Sequence, residues 1–516
     1  MKQGYWDNLL ICILPLSAVL YYLYYYNYGL QLLDEGYLLD PVMRVTRGEI
    51  PYKDFRHIYA PGSFYLFSWL FKIFGTRIGV VRIFWAVLHS FTVAIAYLIL
   101  RRFVAPIFAF LGVMELVIAP APWHKSFFVC LPFICFWIYI KYIEQRNDKW
   151  LFLAALISLT AFLLRQDSGL YGCVVFVIMV LMLPHNEDKI HKWREIAKFV
   201  FLFMLLLTPV IIFFYNHSAL ADATEEIFLS GFRATNTLSF PYPAFFPLYS
   251  INILSTIENK LFYLPFLIYG VSIFYAVIKW KSLKKDYTHI KYVGLLAYGC
   301  LVLLEVKNRS DLPHLWQVLP FVFVVIAVLF GRIYEESDRF RWLNMLLFTA
   351  LIFGVVLVAM QDRSSGSMAI KKGCDTVIEL PRARLYLPKK MARELMDTVD
   401  FIKANSSKGN YILALPNIPI IYFLADRRNP TFAEVFLLGM TSGKSDQKKI
   451  ISDIEARQVN LIARNVTETD GDIKNRRFKN HSPILYSYIM THYHKVAQAG
   501  NIVFFKSNNI KLTKCL

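Results

Sequence analysis

Two adjacent carboxylates, Asp34 and Glu35, open the stretch DEGYLLDPVMRVTRGEIPYKDFRHIYAPG, a few residues after an apolar run that ends near residue 26. The segment between the first two apolar runs, about 27–62, is far longer than a connection requires, and long structured loops are as a rule functional. Carboxylates side by side at a low-dielectric boundary repel, which tends to raise one pKa and leave a base of altered strength. Three other short segments place cations at the ends of apolar runs: Pro122-Trp-His-Lys125, Arg165-Gln-Asp167-Ser-Gly169 and Lys307-Asn-Arg309-Ser-Asp311-Leu-Pro-His314. A carboxylate can deprotonate an acceptor hydroxyl, while Arg, Lys and His stabilise a departing phosphate, so the joint pattern suits transfer from a lipid-linked phosphosugar. Arg fits the phosphate because its fork binds two oxygens at once. Taken singly, the acid pair could equally be a solvated loop feature, and each cation a snorkelling anchor or a capping partner.

The elements that must position these groups are apolar helices. Of the 516 residues, 56% are hydrophobic, 16% aromatic and only 18% charged, and the mean hydropathy is +0.43. So few charges cannot cover so much apolar surface, which excludes a chain of soluble domains, a disordered protein and a disulfide-dense secreted one. Candidate spans fall at about 8–26, 79–100, 103–121, 126–142, 149–164, 169–184, 199–216, 259–278, 292–305, 314–331 and 342–360. Residues 63–75 (SFYLFSWLFKIFG) are apolar but too short to cross, and their Trp, Tyr and Lys suit head-group depth, so they predict an interfacial helix. With the N-terminus inside, Arg101, Arg102, Lys141, Arg146, Lys149, Lys189, Lys192, Lys284, Lys285, Arg339 and Arg341 all fall in cytoplasmic loops, as the positive-inside rule requires. Counting 63–75 as a span would invert every later loop.

Eleven spans starting inside end outside. The expected architecture is therefore an α-helical polytopic membrane domain over 1–360, with a first outer loop and interfacial helix over 27–78, followed by an extracytoplasmic α/β domain over 361–516. In that last region, Lys389–Ala404 and Lys448–Arg457 read as helices, and Tyr411–Leu415, Val459–Ala463 and Ile502–Lys506 as strands. It holds 25 Lys/Arg against 14 Asp/Glu, more than half of the chain's net charge of +19. In a membrane protein such an excess points to topogenic loops and anionic head groups before nucleic acid, and no nucleic-acid partner is expected. Seven cysteines form no CxxC pair, and only Cys374 and Cys515 lie in a polar region where export would let them pair. Asp34, Glu35 and Asp54 could hold a hard divalent ion, but no spacing compels it, and neither metal nor cofactor is expected.

The order of these features is similar to one known group. The acid pair Asp34-Glu35, then GEIPYKDF, the YAPGSFYL helix and Arg82 at the next span resemble the GT-C polytopic glycosyltransferases, in the branch of the protein O-mannosyltransferases and lipid A aminoarabinose transferases. RQDSGLY (165–171), RSDLPH (309–314) and LPNIPIIYFLADRRNPT (415–431) look like segments of bacterial members. The resemblance implies an inverting transfer from a polyprenyl-phosphate sugar to a lipid, glycan or protein acceptor on the outer face of a bacterial inner membrane. It maps the base onto Asp34, with Glu35 as orienting partner or alternative, and an aromatic, proline-containing helix start onto Tyr59, Pro61 and Gly62. Arg165 and Arg309 would bind donor phosphate, assisted by Lys125 or His314, while Asp167 and Asp311 bind substrate or, equally, hold those arginines in place. Tyr422 and Arg427-Arg428 could form part of a lid, although a surface salt bridge is the simpler expectation; Asp54, His57 and His124 are rim residues without assigned work. Relatives often carry two prolines where this chain has Ala60-Pro61, which leaves the donor sugar open. A transporter or lipid flippase would place its ionisable residues at the bilayer midplane in repeated halves, and a lipid-linked glycan ligase or polymerase would use outer arginines without an acidic first loop.

Overall fold

The computed structural model describes residues 5–184, 189–231, 233, 237, 239–246, 253–283, 287–467 and 476–508, so Lys284, Lys285 and Cys515 lie outside the described residues. The chain is mostly helical, and each of the eleven apolar segments falls on a helix. Seven helices are long and apolar enough to cross a bilayer: Ile78–Leu100, Trp123–Gln145, Ile190–Asn216, Thr256–Ile278, Thr288–Lys307, Leu312–Glu336 and Asp338–Ala359. The apolar helices Asp7–Leu23, Pro106–Ile118 and Gln166–Leu181 are shorter, as is Asp148–Leu164 at 17 residues. A 13-residue helix such as Pro106–Ile118 reaches about 20 Å against a hydrocarbon core of about 30 Å, so seven of the expected eleven spans are clearly long enough to cross and the shorter four lie at or below that length.

Contacts divide the chain into two compact units. The first comprises Met1–Tyr26, Arg82–Val210 and Ser239–Lys372, and holds most of the apolar helices. Leu312–Glu336 is its most enclosed helix, with 89% of its apolar window buried, whereas Ile190–Asn216 has the highest hydropathy and only 17% buried. A helix that is apolar all round yet uncovered by protein is one whose outer face meets lipid. Ion pairs tie helix ends together at one end of this unit: Arg101 to Asp7 at 2.6 Å, and Arg102 and Lys291 to Glu144, each at 3.2 Å. Glu144 lies at the last turn of Ser126–Gln145, a 20-residue helix about 30 Å long, so Lys125 at its start marks the opposite end.

The second unit comprises Asn27–Val81, Ile211–Leu238 and Gly373–Leu516. A linear cut at residue 360 therefore misses part of it, because residues 27–81 and 211–238 pack with the C-terminal region. Strands β1 (Thr376–Leu380) and β2 (Ala383–Leu387) form an antiparallel hairpin. β3 (Leu413–Leu415), β4 (Leu461–Asn465), β5 (Tyr493–Ala499) and β6 (Ile502–Ser507) form a sheet of order β3-β4-β6-β5, parallel only between β3 and β4. Its core includes Leu413, Phe436, Ile450, Ile462, Leu485 and Phe505. The expected helix Lys389–Ala404 is present, burying Ala392, Leu395, Val399 and Ile402 at helical spacing, and the second runs Lys444–Ala456. The β1–β2 hairpin, the helix Pro483–His492 and β5 were not expected.

The segment expected to be interfacial is a helix, Gly62–Phe74: Phe64, Phe67 and Phe71 are buried, while Tyr65, Trp69 and Phe74 are exposed. The segment read as a loop is otherwise. Asp34–Thr46 is a helix, despite Gly36 and Pro41 within it. Both residues lower intrinsic helicity, and burial of Leu39, Val42 and Met43 overrides that preference. Gly36 has a packing reason, since a Cβ there would sit 2.2 Å from the backbone nitrogen of Ile420 on the short helix Ile420–Ala425. Gly36→Ala is therefore expected to destabilise this unit by about 1–3 kcal/mol through overpacking, seen as a lower unfolding temperature of the full chain in detergent. Gly270→Ala, whose added Cβ meets nothing within 4 Å, should stay near wild type. Equal unfolding of both variants would contradict the close approach.

Candidate functional site

In the first unit the three cationic segments, far apart in sequence, come together. Lys125 Nζ lies 3.2 Å from His314 Nε2, and His314 Nδ1 lies 2.5 Å from Asp311 Oδ1. An ammonium can only donate, so Nε2 accepts and the ring proton sits on Nδ1, directed at Asp311. Arg309 Nε donates to Asp311 Oδ2 at 2.6 Å, and its guanidinium lies over the Phe240 ring at 4.8 Å. Arg165 Nε donates to both Asp167 oxygens at 3.0 and 2.8 Å, its Nη2 lies 3.6 Å from Glu305 Oε2, and it sits over Phe128 at 5.3 Å. Lys125 and Arg165 are buried, each 7% exposed.

Local sequence explains the repeated geometry. Arg165 and Arg309 both adopt extended backbone immediately after a helix, Asp148–Leu164 and Leu304–Asn308 respectively, and each binds an aspartate two residues on. Asp311 also caps Leu312–Glu336 by accepting from the His314 backbone N–H at 3.0 Å. Asp167 accepts from the Ser168 N–H at 2.7 Å in the first turn of Gln166–Leu181. Both acids thus hold the arginines and also finish helices. Gly169 lets that turn sit on Phe162, whose backbone nitrogen a Cβ would meet at 2.3 Å. Lys125, Arg165 and Asp311 are the residues preceding three helices, Ser126–Gln145, Gln166–Leu181 and Leu312–Glu336. Three positive helix ends therefore accompany three cationic side chains, a combination suited to an anion. Glu305, which the sequence reading placed at the end of a span, is the further member of the cluster.

The other predicted residues lie in the second unit. Asp34 and Glu35 occupy the first turn of Asp34–Thr46, about 100° apart around the axis, so they do different work. Glu35 is 3% exposed, and its carboxylate accepts from the Gln31 N–H at 3.1 Å, closing the turn that leads into the helix. Asp34 is half-buried. Tyr59 joins an aromatic cluster with Tyr37 and His57; its N–H donates to His57 Nδ1 at 3.1 Å, and its carbonyl accepts from Tyr52 Oη at 2.8 Å. His57 is buried, donates through Nε2 to the Tyr37 carbonyl at 3.0 Å, and is pushed down to about 3 by that burial. It stays neutral near neutral pH. Asp54 accepts from the Ile50 N–H at 2.7 Å and shapes a turn. His124 lies in the short 3-10 turn Trp123–Lys125 of the first unit.

The lid and surface salt-bridge expectations for Tyr422 and Arg427 are both corrected. Tyr422 is 1% exposed and its Oη accepts from the Ala414 N–H, while Arg427 is 4% exposed and donates to Ser406 and to the Ala425 carbonyl. They are interior struts. Arg428 lies over the Tyr411 ring at 5.9 Å. Cys374 is buried. Among the described residues no group of three or more His, Cys, Asp or Glu is arranged to hold a metal ion.

This unit also holds a buried polar cluster around Arg44 and Glu434. Arg44 donates to Glu49 at 2.7 Å, to Glu434 at 3.1 Å and to the Thr431 and Asp54 carbonyls at 2.8 and 2.9 Å. Asn429 donates to both Asp40 and Glu434, at 3.2 and 3.1 Å. Burial and then the Asp40 charge push Glu434 well above the usual carboxylate range, against the opposing pull of Arg44. The available signal was Asp40 and Arg44 four residues apart, the spacing of an ion pair on one helix face.

No family model matches the chain, and no curated protein matches it. Solved structures do. ArnT from Cupriavidus metallidurans bound to undecaprenyl phosphate shares 12% identity over 98% of this chain and 99% of that one, with a TM-score of 0.59. The archaeal oligosaccharyltransferase AglB from Archaeoglobus fulgidus, in complex with an inhibitory peptide and a dolichol-phosphate, shares 11% identity over 99% of this chain and 75% of that one, with a TM-score of 0.52. Both are polytopic membrane glycosyltransferases of the GT-C superfamily, and the chain has their fold, as the resemblance of its motifs implied.

Burial pushes Asp311 up, but the His314 hydrogen bond and Arg309 outweigh it and hold the carboxyl below the usual range. A depressed carboxylate contributes stability that is fully present above its unfolded pKa of about 3.9 and is lost as pH falls through the lower folded value. Asp311→Asn should therefore unfold at a lower temperature than wild type at pH 7, with the gap shrinking below about pH 4. A gap constant with pH would show that Asp311 titrates alike in both states.

Proposed function

We propose that this protein is an inverting glycosyltransferase that moves a sugar from a polyprenyl-phosphate donor to an acceptor hydroxyl. The observation that carries the reading is the meeting of Lys125, Arg165 and Arg309 with three helix N-termini at one end of the apolar helices of the first unit. A polyprenyl chain stays in the bilayer and brings its phosphate to head-group level, where such cations and dipoles are found. That both fold neighbours were solved with a polyprenyl or dolichol phosphate supports the same donor class here.

In this mechanism Asp34 accepts the proton of the acceptor hydroxyl as its oxygen attacks the anomeric carbon. The bond from that carbon to the phosphate oxygen breaks on the opposite face, so the configuration inverts. The electron pair leaves with the polyprenyl phosphate, whose growing charge Lys125, Arg165 and Arg309 stabilise, with His314 holding the Lys125 ammonium in place. Asp34 is favoured over Glu35 as base because it is half-buried and within reach of an acceptor, whereas Glu35 is 3% exposed. Loop charge supports an outer-face reaction at a bacterial inner membrane, with the C-terminal sheet extracytoplasmic. The clustering of charge at helix ends, away from helix centres, weighs against a transporter.

Incorporation of radiolabelled sugar from polyprenyl-phosphate donors into membrane acceptors tests this. Asp34→Asn at wild-type expression should lose about 10²–10⁴-fold in rate, and Glu35→Gln much less. Transfer by Asp34→Asn at the wild-type rate would remove Asp34 from the chemistry.

A further inference from the structure

The second unit contains a cavity of about 380 Å³, within the range of small-molecule sites of about 300–1,000 Å³. Residues 56–58, the segment 222–233 and the stretch 432–446 enclose it, and Tyr37 contributes from the Asp34–Thr46 helix. Tyr37 is three residues beyond Asp34, which puts the two on one helix face. That part of the cavity wall thus lies about one helical turn from the candidate base.

The polar groups lining the cavity are mostly paired with one another. Arg56 bridges Glu226 at 3.5 Å and Asp446 at 2.8 Å, with its guanidinium over the Phe432 ring at 4.6 Å, and Arg233 pairs with Glu225 at 2.8 Å. Glu434 is held by Arg44. A phosphate would need cations not already matched by carboxylates, and a cation would need bare carboxylates. An array of paired charges instead offers carboxylate lone pairs and guanidinium N–H groups together. Hydroxyls, which donate and accept at once, satisfy both. Tyr37 and Phe432 add apolar ring surface.

One group in the wall is left wanting. Thr441 is 3% exposed, lines the cavity, and its Oγ1 has no hydrogen-bond partner among the described residues. A buried hydroxyl without a partner costs about 1–3 kcal/mol, a cost that a ligand hydroxyl in the cavity would relieve.

We infer that this cavity binds a saccharide and that it is the acceptor, presented beside Asp34, of the transfer proposed above. The inference rests on that reading for the acceptor role, but binding is measured without transfer. Saturation-transfer NMR on the full chain in detergent, without donor, would use methyl glycosides of common hexoses, N-acetylhexosamines and pentoses, with spermidine as a cationic probe. At least one glycoside should bind, competitively with the acceptor in the transfer assay. Thr441→Val and the exposed Asp222→Asn should each weaken it about fivefold or more, and Arg165→Ala should leave it unchanged. Binding of spermidine in place of every glycoside, no glycoside binding at all, or equal binding by both cavity variants and wild type would overturn the inference. Failure of transfer with the binding pattern intact would count against the proposed reaction while leaving the saccharide site standing.

Discussion

Cations at the rim of an apolar helix bundle are costly unless matched, and the first unit is organised around matching them. Lys125 and Arg165 are buried, and removing an ion from water costs several kcal/mol even after relaxation. Asp167, Asp311 and Glu305 supply the opposing charge, and the ring faces of Phe128 and Phe240 cover two guanidiniums. A purely structural design would avoid the expense, since a well-packed apolar replacement is often as stable as a buried ion pair. Retaining three cations at three helix N-termini makes sense if an anion is to be received there. The aspartates then keep the side chains fixed between encounters, so that little reorganisation is needed when the anion arrives.

The second unit solves a different problem. Its Asp34–Thr46 helix is a poor helix by sequence, with Gly36 and Pro41 inside it, and is held by what it packs on. Gly36 permits backbone contact with Ile420, and Arg44 ties the helix to residues 431–434 through two hydrogen bonds from its Nη1. Asp34 therefore stands on a rigid support, which a general base requires if it is to meet a hydroxyl in a productive geometry.

How much of this was legible follows from the physics of each signal. Apolar length is additive along the chain, so all eleven apolar helices and the short apolar helix Gly62–Phe74 could be read directly. The cationic segments announced themselves because Arg-x-Asp and His stand out at the edges of apolar runs. Glu305 did not, because it is a lone carboxylate closing an apolar run and only Arg165, 140 positions earlier, reveals its purpose. Asp34–Thr46 was read as loop because glycine and proline speak against a helix locally, while the burial that outweighs them is tertiary. For the same reason Tyr422 and Arg427 read as surface groups and proved to be interior, and the cluster of Asp40, Arg44, Asn429 and Glu434 joins residues nearly 400 positions apart.

The central claim is that the cation cluster exists to hold the phosphate of a lipid carrier. Native mass spectrometry of the purified full chain, offered a polyprenyl phosphate and the corresponding polyprenyl alcohol, tests it most directly. The account predicts that the phosphate binds and the alcohol scarcely does, and that Arg165→Ala and Arg309→Ala each weaken phosphate binding on the order of tenfold. Equal binding of alcohol and phosphate, or unchanged phosphate binding in both variants, would contradict it.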